Sequence, residues 1–273
     1  MPLSDTARGV DPGAVFFSSV NPGSWDLGLI VRYDGTDYHG FQKQPRHVTV
    51  QGVLDAALGE LLGAGRSAGA SRTDAGVHAA GQVVVWRGLC PIPLDRVAAV
   101  INRHLPPAIQ IVRAFRAPQG WDPRRAAQAK QYSYRVWRGA EPPLLPWYRM
   151  VAEYPGTFSW ARLREAAALF QGEHDFRAFR TEGSSAGTTV RTILASGWSS
   201  EESGQIWRFT VIGTGFLYRM VRHMVGSMLE AAAPDGGMEA IRQGLAHPEA
   251  KVGALAPASG LTLDWIQFAK TEG

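Results

Sequence analysis

The stretch SRTDAGVHAAGQV, Ser71–Val83, carries the densest chemistry in the chain and sits at a change of periodicity. Before it, Val50, Val53, Leu54, Ala57, Leu58, Leu61 and Leu62 recur at helical spacing behind Thr49, a residue able to cap a helix N-terminus. After it, QVVVW at residues 82–86 is a short apolar run of buried-strand type. Between the two, Asp74 stands among small residues, with Arg72 before it and His78 after it. Asp-Ala-Gly is good turn chemistry, since the carboxylate can accept local N–H bonds and Gly76 allows positive φ. A helix would place Asp74 and His78 on one face as metal ligands, but Gly76 beside Val77 argues for a loop, and no third ligand follows at a recognisable spacing. Turn residue, general base and nucleophile all remain open for Asp74 at this point.

Working outward, LGLIVRY at 27–33 reads as a strand apolar on both faces and ended by Asp34-Gly35, followed by a polar and aromatic loop, TDYHGFQKQPRH. A helix over 94–103 and a strand over Ile109–Phe115 complete a first α+β half. The second half repeats the rhythm: a strand in KQYSYRVW (130–137), a helix from Ser159 through about Phe170, and strands near 189–199 and 205–212. A striped helix over 217–232, a shorter one near 238–244 and a last strand, LTLDWIQF, close the chain. The expected organisation is an extension over 1–25, an N-terminal half over 26–120 and a C-terminal half over 121–273, the halves meeting near residues 118–128. The extension, rich in Gly, Pro, Ser, Asn and Asp, is expected to be mobile.

Composition narrows the class. Hydrophobic residues make up 45% and charged residues 19%, enough apolar material for a sizeable core. The formal charge of +4 suits an anionic partner. A single cysteine, Cys90, excludes an intrachain disulfide and a Cys-rich metal site. The start, MPLSDTARGVDPG, lacks the basic-then-apolar order of a signal peptide, and no apolar run is long enough to cross a bilayer. A cytoplasmic protein without a membrane role is expected.

Two further features bear on function. In YRMVRH, Arg219 sits in or near the first turn of its helix, where the N-terminal partial positive charge disfavours a cation and so invites an anion. Cations are also interleaved with aromatics: Lys43 and Arg46 after Tyr38, His39 and Phe41, and Lys130, Arg135 and Arg138 around Tyr132, Tyr134 and Trp137. Phosphates are met by Lys and Arg, and unstacked bases by aromatic faces.

These motifs occur together in a known order. YDGTDYHGFQKQ (33–44), Val50-Gln51, SRTDAGVHAAGQV, KQYSYRV (130–136), GEHDFRAFR (172–180), TVRTI (189–193), GFLYRMVRHMVGSM (215–228) and APASGLTL (256–263) resemble the TruA family of tRNA pseudouridine synthases over nearly everything from Leu27 onward. The resemblance implies the pseudouridine synthase fold: α+β, with two halves sharing a central, mainly antiparallel sheet and a catalytic cleft between them. It implies isomerisation of uridine to pseudouridine in the tRNA anticodon stem-loop, at positions 38–40, without metal, nucleotide or redox cofactor, by a homodimer. The family's catalytic aspartate falls on Asp74, its partner arginine on Arg219 and its base-stacking tyrosine on Tyr132. Arg72 matches the arginine that keeps the target base out of the stack, a displacement costing a few kcal/mol. Lys43, Arg222 and His78 are further candidates for RNA contact, with a structural role as the other expectation for His78. Ser71, Phe41 and Tyr218 depart from the family's usual Gly, Trp and Arg. A non-catalytic tRNA-binding protein or chaperone on the same scaffold is the alternative, and a metal-dependent nuclease using Asp74 and His78 a remote third.

Overall fold

The computed structural model describes residues 25–269 apart from 142, 144–146, 155, 184–186, 202, 203 and 251. The expected extension therefore lies outside the described residues, save for Trp25, which already belongs to a strand. The chain forms two compact units, one reaching to Gln128 and taking back the C-terminal segment from Leu263, the other Ala129–Thr262. Each is mixed α+β with a mainly antiparallel sheet.

In the first unit, β1 (Trp25–Tyr33) pairs antiparallel with β3 (His78–Gly88) on one side and β4 (Ile109–Pro118) on the other. The final strand β10 (Leu261–Phe268) lies beside β3. The central position of β1 explains its composition: Leu27, Leu29 and Val31 are wholly enclosed, and Ile30 nearly so, as an apolar run on both faces requires. A short strand absent from the sequence reading, β2 (Gly65–Gly69), adds to β3. Helix α1 (Val50–Leu62) begins where expected: Thr49 is extended, and its Oγ1 accepts the Gly52 N–H, a cap worth about 1 kcal/mol. Its stripe buries Val50, Leu54 and Leu58 completely, each fully buried aliphatic contributing roughly 1.5–3 kcal/mol. Gln51, the second residue of α1, donates from Nε2 to Ser67 O and Oγ, fastening α1 to β2. Helix α2 (Leu94–Asn102) packs on β4. The four-residue α3 (Pro123–Ala126) is capped by Asp122, whose Oδ1 accepts the N–H groups of Arg124 and Arg125.

In the second unit, β5 (Ala127–Trp137), β9 (Ile206–Gly213), β8 (Val190–Glu201) and β7 (Gly172–Asp175) run in that order, all antiparallel, and β6 (Ala152–Glu153) adds parallel to β5. Helix α4 (Trp160–Leu169) starts at Ser159, whose Oγ accepts the Arg162 N–H, and packs on α5 (Met220–Ala232) and β8. The stripe Met220, Val221, Met224, Val225, Met228 and Leu229 is buried, as its spacing predicts. Helix α5 starts at Met220, later than the sequence suggests, because Arg219 before it takes a left-handed backbone with φ 61°. Helix α6 (Glu239–Ala246) follows.

Candidate functional site

The segment carrying Asp74 is held from three directions. Gln82, fully buried on β3, accepts the Ser71 N–H at Oε1 (3.1 Å) and donates from Nε2 to Ser71 O (2.7 Å). Tyr33 OH and Thr73 Oγ1 share a buried hydrogen bond of 2.7 Å. The loop after β1 supplies the third hold: Phe41 N–H donates to Thr73 O (3.1 Å), and Gly76 N–H to Tyr38 O (3.2 Å). Gly40 has φ +86°, and a Cβ there would lie 2.7 Å from Thr73 O, so only glycine lets the two loops approach this closely.

Within that frame Asp74 opens a tight turn. Val77 N–H donates to Asp74 O (3.1 Å), and Gly76 takes φ 77°. The turn expected from Asp-Ala-Gly is therefore present, and its Asp is half-buried. The backbone makes the turn and fixes the base of the Asp74 side chain on a rigid support, an arrangement that suits a preorganised group.

His78 follows with no exposed surface, its Nδ1 3.1 Å from Gly35 N and 3.2 Å from Asp34 Oδ1. Asp34 Oδ1 in turn accepts from Thr36 N and Oγ1. Of the two roles expected of His78, this burial accommodates the structural one: the imidazole locks the start of β3 to the end of β1. Arg72, by contrast, is exposed. Its pKa is lowered, by desolvation first and then by the charge of Arg124 on α3, which places two cations within electrostatic reach of each other beside the Asp74 turn. Lys43 is exposed in the 34–48 loop, its backbone N–H bound to Gln51 Oε1 at 3.0 Å.

The second unit holds the other expected residues. Tyr132 on β5 is 6% exposed, its ring edge-to-face with Phe216 at 5.1 Å. Arg219 caps α5 with a left-handed backbone, a strained state for a non-glycine residue that clusters at functional sites. Its guanidinium lies 4.8 Å from the Tyr218 ring, and its Nε is buried without a hydrogen-bond partner. Arg222 donates from Nε to Ala256 O (2.7 Å), which ties α5 to the segment before β10. His223 holds Thr181 Oγ1 at 3.1 Å from Nε2, and its pKa is depressed, chiefly by burial, with Arg222 and Arg219 acting in the same direction.

Several of these contributors escape a reading of the sequence. Gln82 is the first residue of an otherwise apolar strand run, and a buried amide inside such a run is the signal that it serves a specific partner. Tyr33, Thr73 and Phe216 carry no comparable signal. Among the described residues, no three His, Cys, Asp or Glu side chains gather as a metal site, and no helix is long and apolar enough to cross a membrane.

Comparison with known proteins adds the family. The profile described as tRNA pseudouridine synthase matches residues 29–124 and 166–269. The tRNA pseudouridine synthase A of Acetivibrio thermocellus is 39% identical over 245 residues, covering 89% of this chain and 99% of that protein. That of Geobacter sulfurreducens is 38% identical with the same coverage, and that of Solibacter usitatus 38% identical over 86% of this chain and 96% of its own. With a matched profile over most of the chain and relatives aligned almost end to end, the chain belongs to the tRNA pseudouridine synthase family.

Proposed function

We propose that Asp74 is the carboxylate through which this chain carries out its reaction, acting as nucleophile or base on a uridine of the tRNA anticodon stem-loop, at positions 38–40. The chain is an isomerase that converts uridine in tRNA to pseudouridine. In that conversion the N1–C1′ glycosidic bond breaks, the uracil turns, and a C5–C1′ bond forms. C5 loses a proton and N1 gains one, so a single carboxylate able to attack and to move a proton suits the balance. The observation that carries the assignment is the half-buried Asp74 on a turn clamped by Gln82, Tyr33 and the 38–41 backbone.

In this reading Arg219 keeps the carboxylate ionised, Tyr132 stacks on the target base and Arg72 fills the gap that the base leaves. The strained backbone and unsatisfied Nε of Arg219 support a role in which its cation meets an anion. Tyr132 is 6% exposed, so stacking on a base requires its cover to shift when RNA binds. Arg222 and Lys43 serve the RNA backbone, and His78 acts as the anchor of the Asp74 turn. The same reading carries a homodimer working in the cytoplasm, which the mass in solution tests for the first part.

The deciding experiment maps pseudouridine in tRNA from cells with and without the protein, then restores wild type or Asp74→Asn. Wild type should return the modification at 38–40, and Asp74→Asn should not, while purified Asp74→Asn still binds tRNA. Unchanged turnover in that variant would sink the assignment. Salt-sensitive binding by wild type with no isomerisation would favour the non-catalytic alternative.

A further inference from the structure

The loop between β1 and α1 does more than hold the Asp74 turn. Its far side, residues 42–48, is exposed throughout, and His39 is exposed beside it. From Tyr38 to Gln51 the chain carries Lys43, Arg46, His39 and His47 and no acidic residue. His39 and His47 stack on each other, ring centroids 4.4 Å apart and planes inclined by 29°. Arg46 has φ 66° and, with Arg219, is one of two non-glycine residues in the left-handed region among those described.

Such an arrangement needs support. His39 N–H donates to Val48 O (2.9 Å), which closes the loop at its base. Gln44 Nε2 donates to His39 O (3.1 Å), crossing it, and Lys43 N–H is fixed to Gln51 Oε1 (3.0 Å). Val50 and Gln51 N–H groups bind Gly40 O and Phe41 O. A strained residue persists only where its surroundings over-determine it, and these bonds fix the loop on both sides of Arg46 while residues 42–48 stay exposed. The back of the loop rests on the Asp74 turn through Gly40 against Thr73 O and Tyr38 O to Gly76 N–H.

A flat aromatic pair flanked by long cations, with no acid between them, matches the needs of a single-stranded nucleic acid: a face for an unpaired base and cations for the phosphates on either side. We propose that residues 39–47 form a second RNA-contact element, in which the stacked His39–His47 pair seats an unpaired base of the substrate while Arg46 and Lys43 hold flanking phosphates. The proposal rests on the tRNA-modifying reading of the Asp74 site and names a further part of the substrate for it.

The test uses the full-length chain and an anticodon stem-loop RNA, with dissociation constants measured over a salt series and pseudouridine yield measured in parallel. His39→Ala/His47→Ala should weaken binding roughly tenfold, the scale of one lost base–aromatic stack, with the salt slope unchanged. His47→Phe, which keeps a ring, should bind within about twofold of wild type. Arg46→Gly removes the charge while suiting the positive φ, and should flatten the slope of log K against log salt by about one. Melting temperatures within error of wild type certify that the variants are folded. Wild-type binding by the double histidine variant, or equal losses for His47→Phe and His47→Ala, overturns the base platform. An unchanged slope for Arg46→Gly overturns the phosphate contact. These failures leave wild-type pseudouridine formation and its loss in Asp74→Asn intact, whereas failure of the functional reading removes turnover from the wild type itself.

Discussion

Gln82 closes a two-bond ring with the backbone of Ser71, N–H to Oε1 at 3.1 Å and Nε2 to O at 2.7 Å, and both residues are buried. The amide does for the loop what a neighbouring strand would do for a strand, satisfying donor and acceptor of one residue at once. Gln82→Leu removes both of these buried bonds to Ser71, a loss of about 1–3 kcal/mol for each buried group left unsatisfied. The variant should melt well below wild type. At temperatures where it is folded, single-turnover pseudouridine formation should fall by at least tenfold while tRNA affinity changes little, because the loss is in aim rather than in contact. Gln82→Glu, which keeps an acceptor but not the donor, should fall between the two. Equal turnover in all three proteins would show that the clamp does not govern Asp74.

The left-handed backbone at Arg219 allows stability and activity to be tested apart. With φ 61° and ψ 11° the residue occupies a conformation that glycine adopts without penalty. Arg219→Gly relieves that strain and removes the buried Nε that lacks a partner. The variant should therefore hold or raise the melting temperature, while pseudouridine formation drops by orders of magnitude. Calorimetry beside a turnover assay checks both halves. Arg219→Ala should be the less stable of the two, since a Cβ keeps the backbone penalty.

How much of this was legible follows the range of the interactions. Helix α1 was readable to its first residue because Thr49 and the apolar stripe are local signals, and Gly76 announced the turn at Asp74 for the same reason. β2 was not readable: GRSAG has little strand character, and the segment is extended only because β3 offers it a pairing edge. Helix α5 begins three residues after the start of its apolar stripe, because nothing in YRM marks Arg219 as left-handed; that conformation is imposed by its surroundings. The return of the last strand to β3, and the Ser71–Gln82 ring, depend on chain segments meeting in space, which no spacing rule reports. The candidate residues themselves came from ordered motifs, and the structure supplied what holds them.

Arg72 and Arg124 lie within electrostatic reach of each other, and each is exposed. Arg125 has Asp122 at 3.7 Å, a surface pair of little energetic weight. Two neighbouring cations beside the Asp74 turn raise the local positive potential where a polyanion is expected. Arg124→Gln should reduce the slope of log K against log salt for tRNA by about one. It should leave the melting temperature unchanged or slightly higher, as a repulsion is lost. Arg72→Gln should lower turnover as well as the slope, if it fills the gap left by a displaced base. A salt slope identical to wild type in Arg124→Gln would remove it from the RNA surface.

His223 makes stability depend on pH in a defined direction. Its pKa lies below the ordinary histidine value, because burial penalises the imidazolium and Arg222 and Arg219 add like charge. The unfolded chain therefore binds more protons than the folded one as pH falls through about 6.5, and stability falls with it. Above that range both states carry a neutral ring and the contribution is flat. His223→Gln keeps a polar group opposite Thr181 Oγ1, 3.1 Å from the present Nε2, but cannot titrate. Urea denaturation at pH 7.5 and pH 5.5 should show wild type losing more stability than His223→Gln between the two. Parallel losses in both proteins would place the pH dependence elsewhere. The same neutral ring keeps a third positive charge away from Arg219 and Arg222 at neutral pH, so turnover in wild type should also decline on acidification sooner than in the variant.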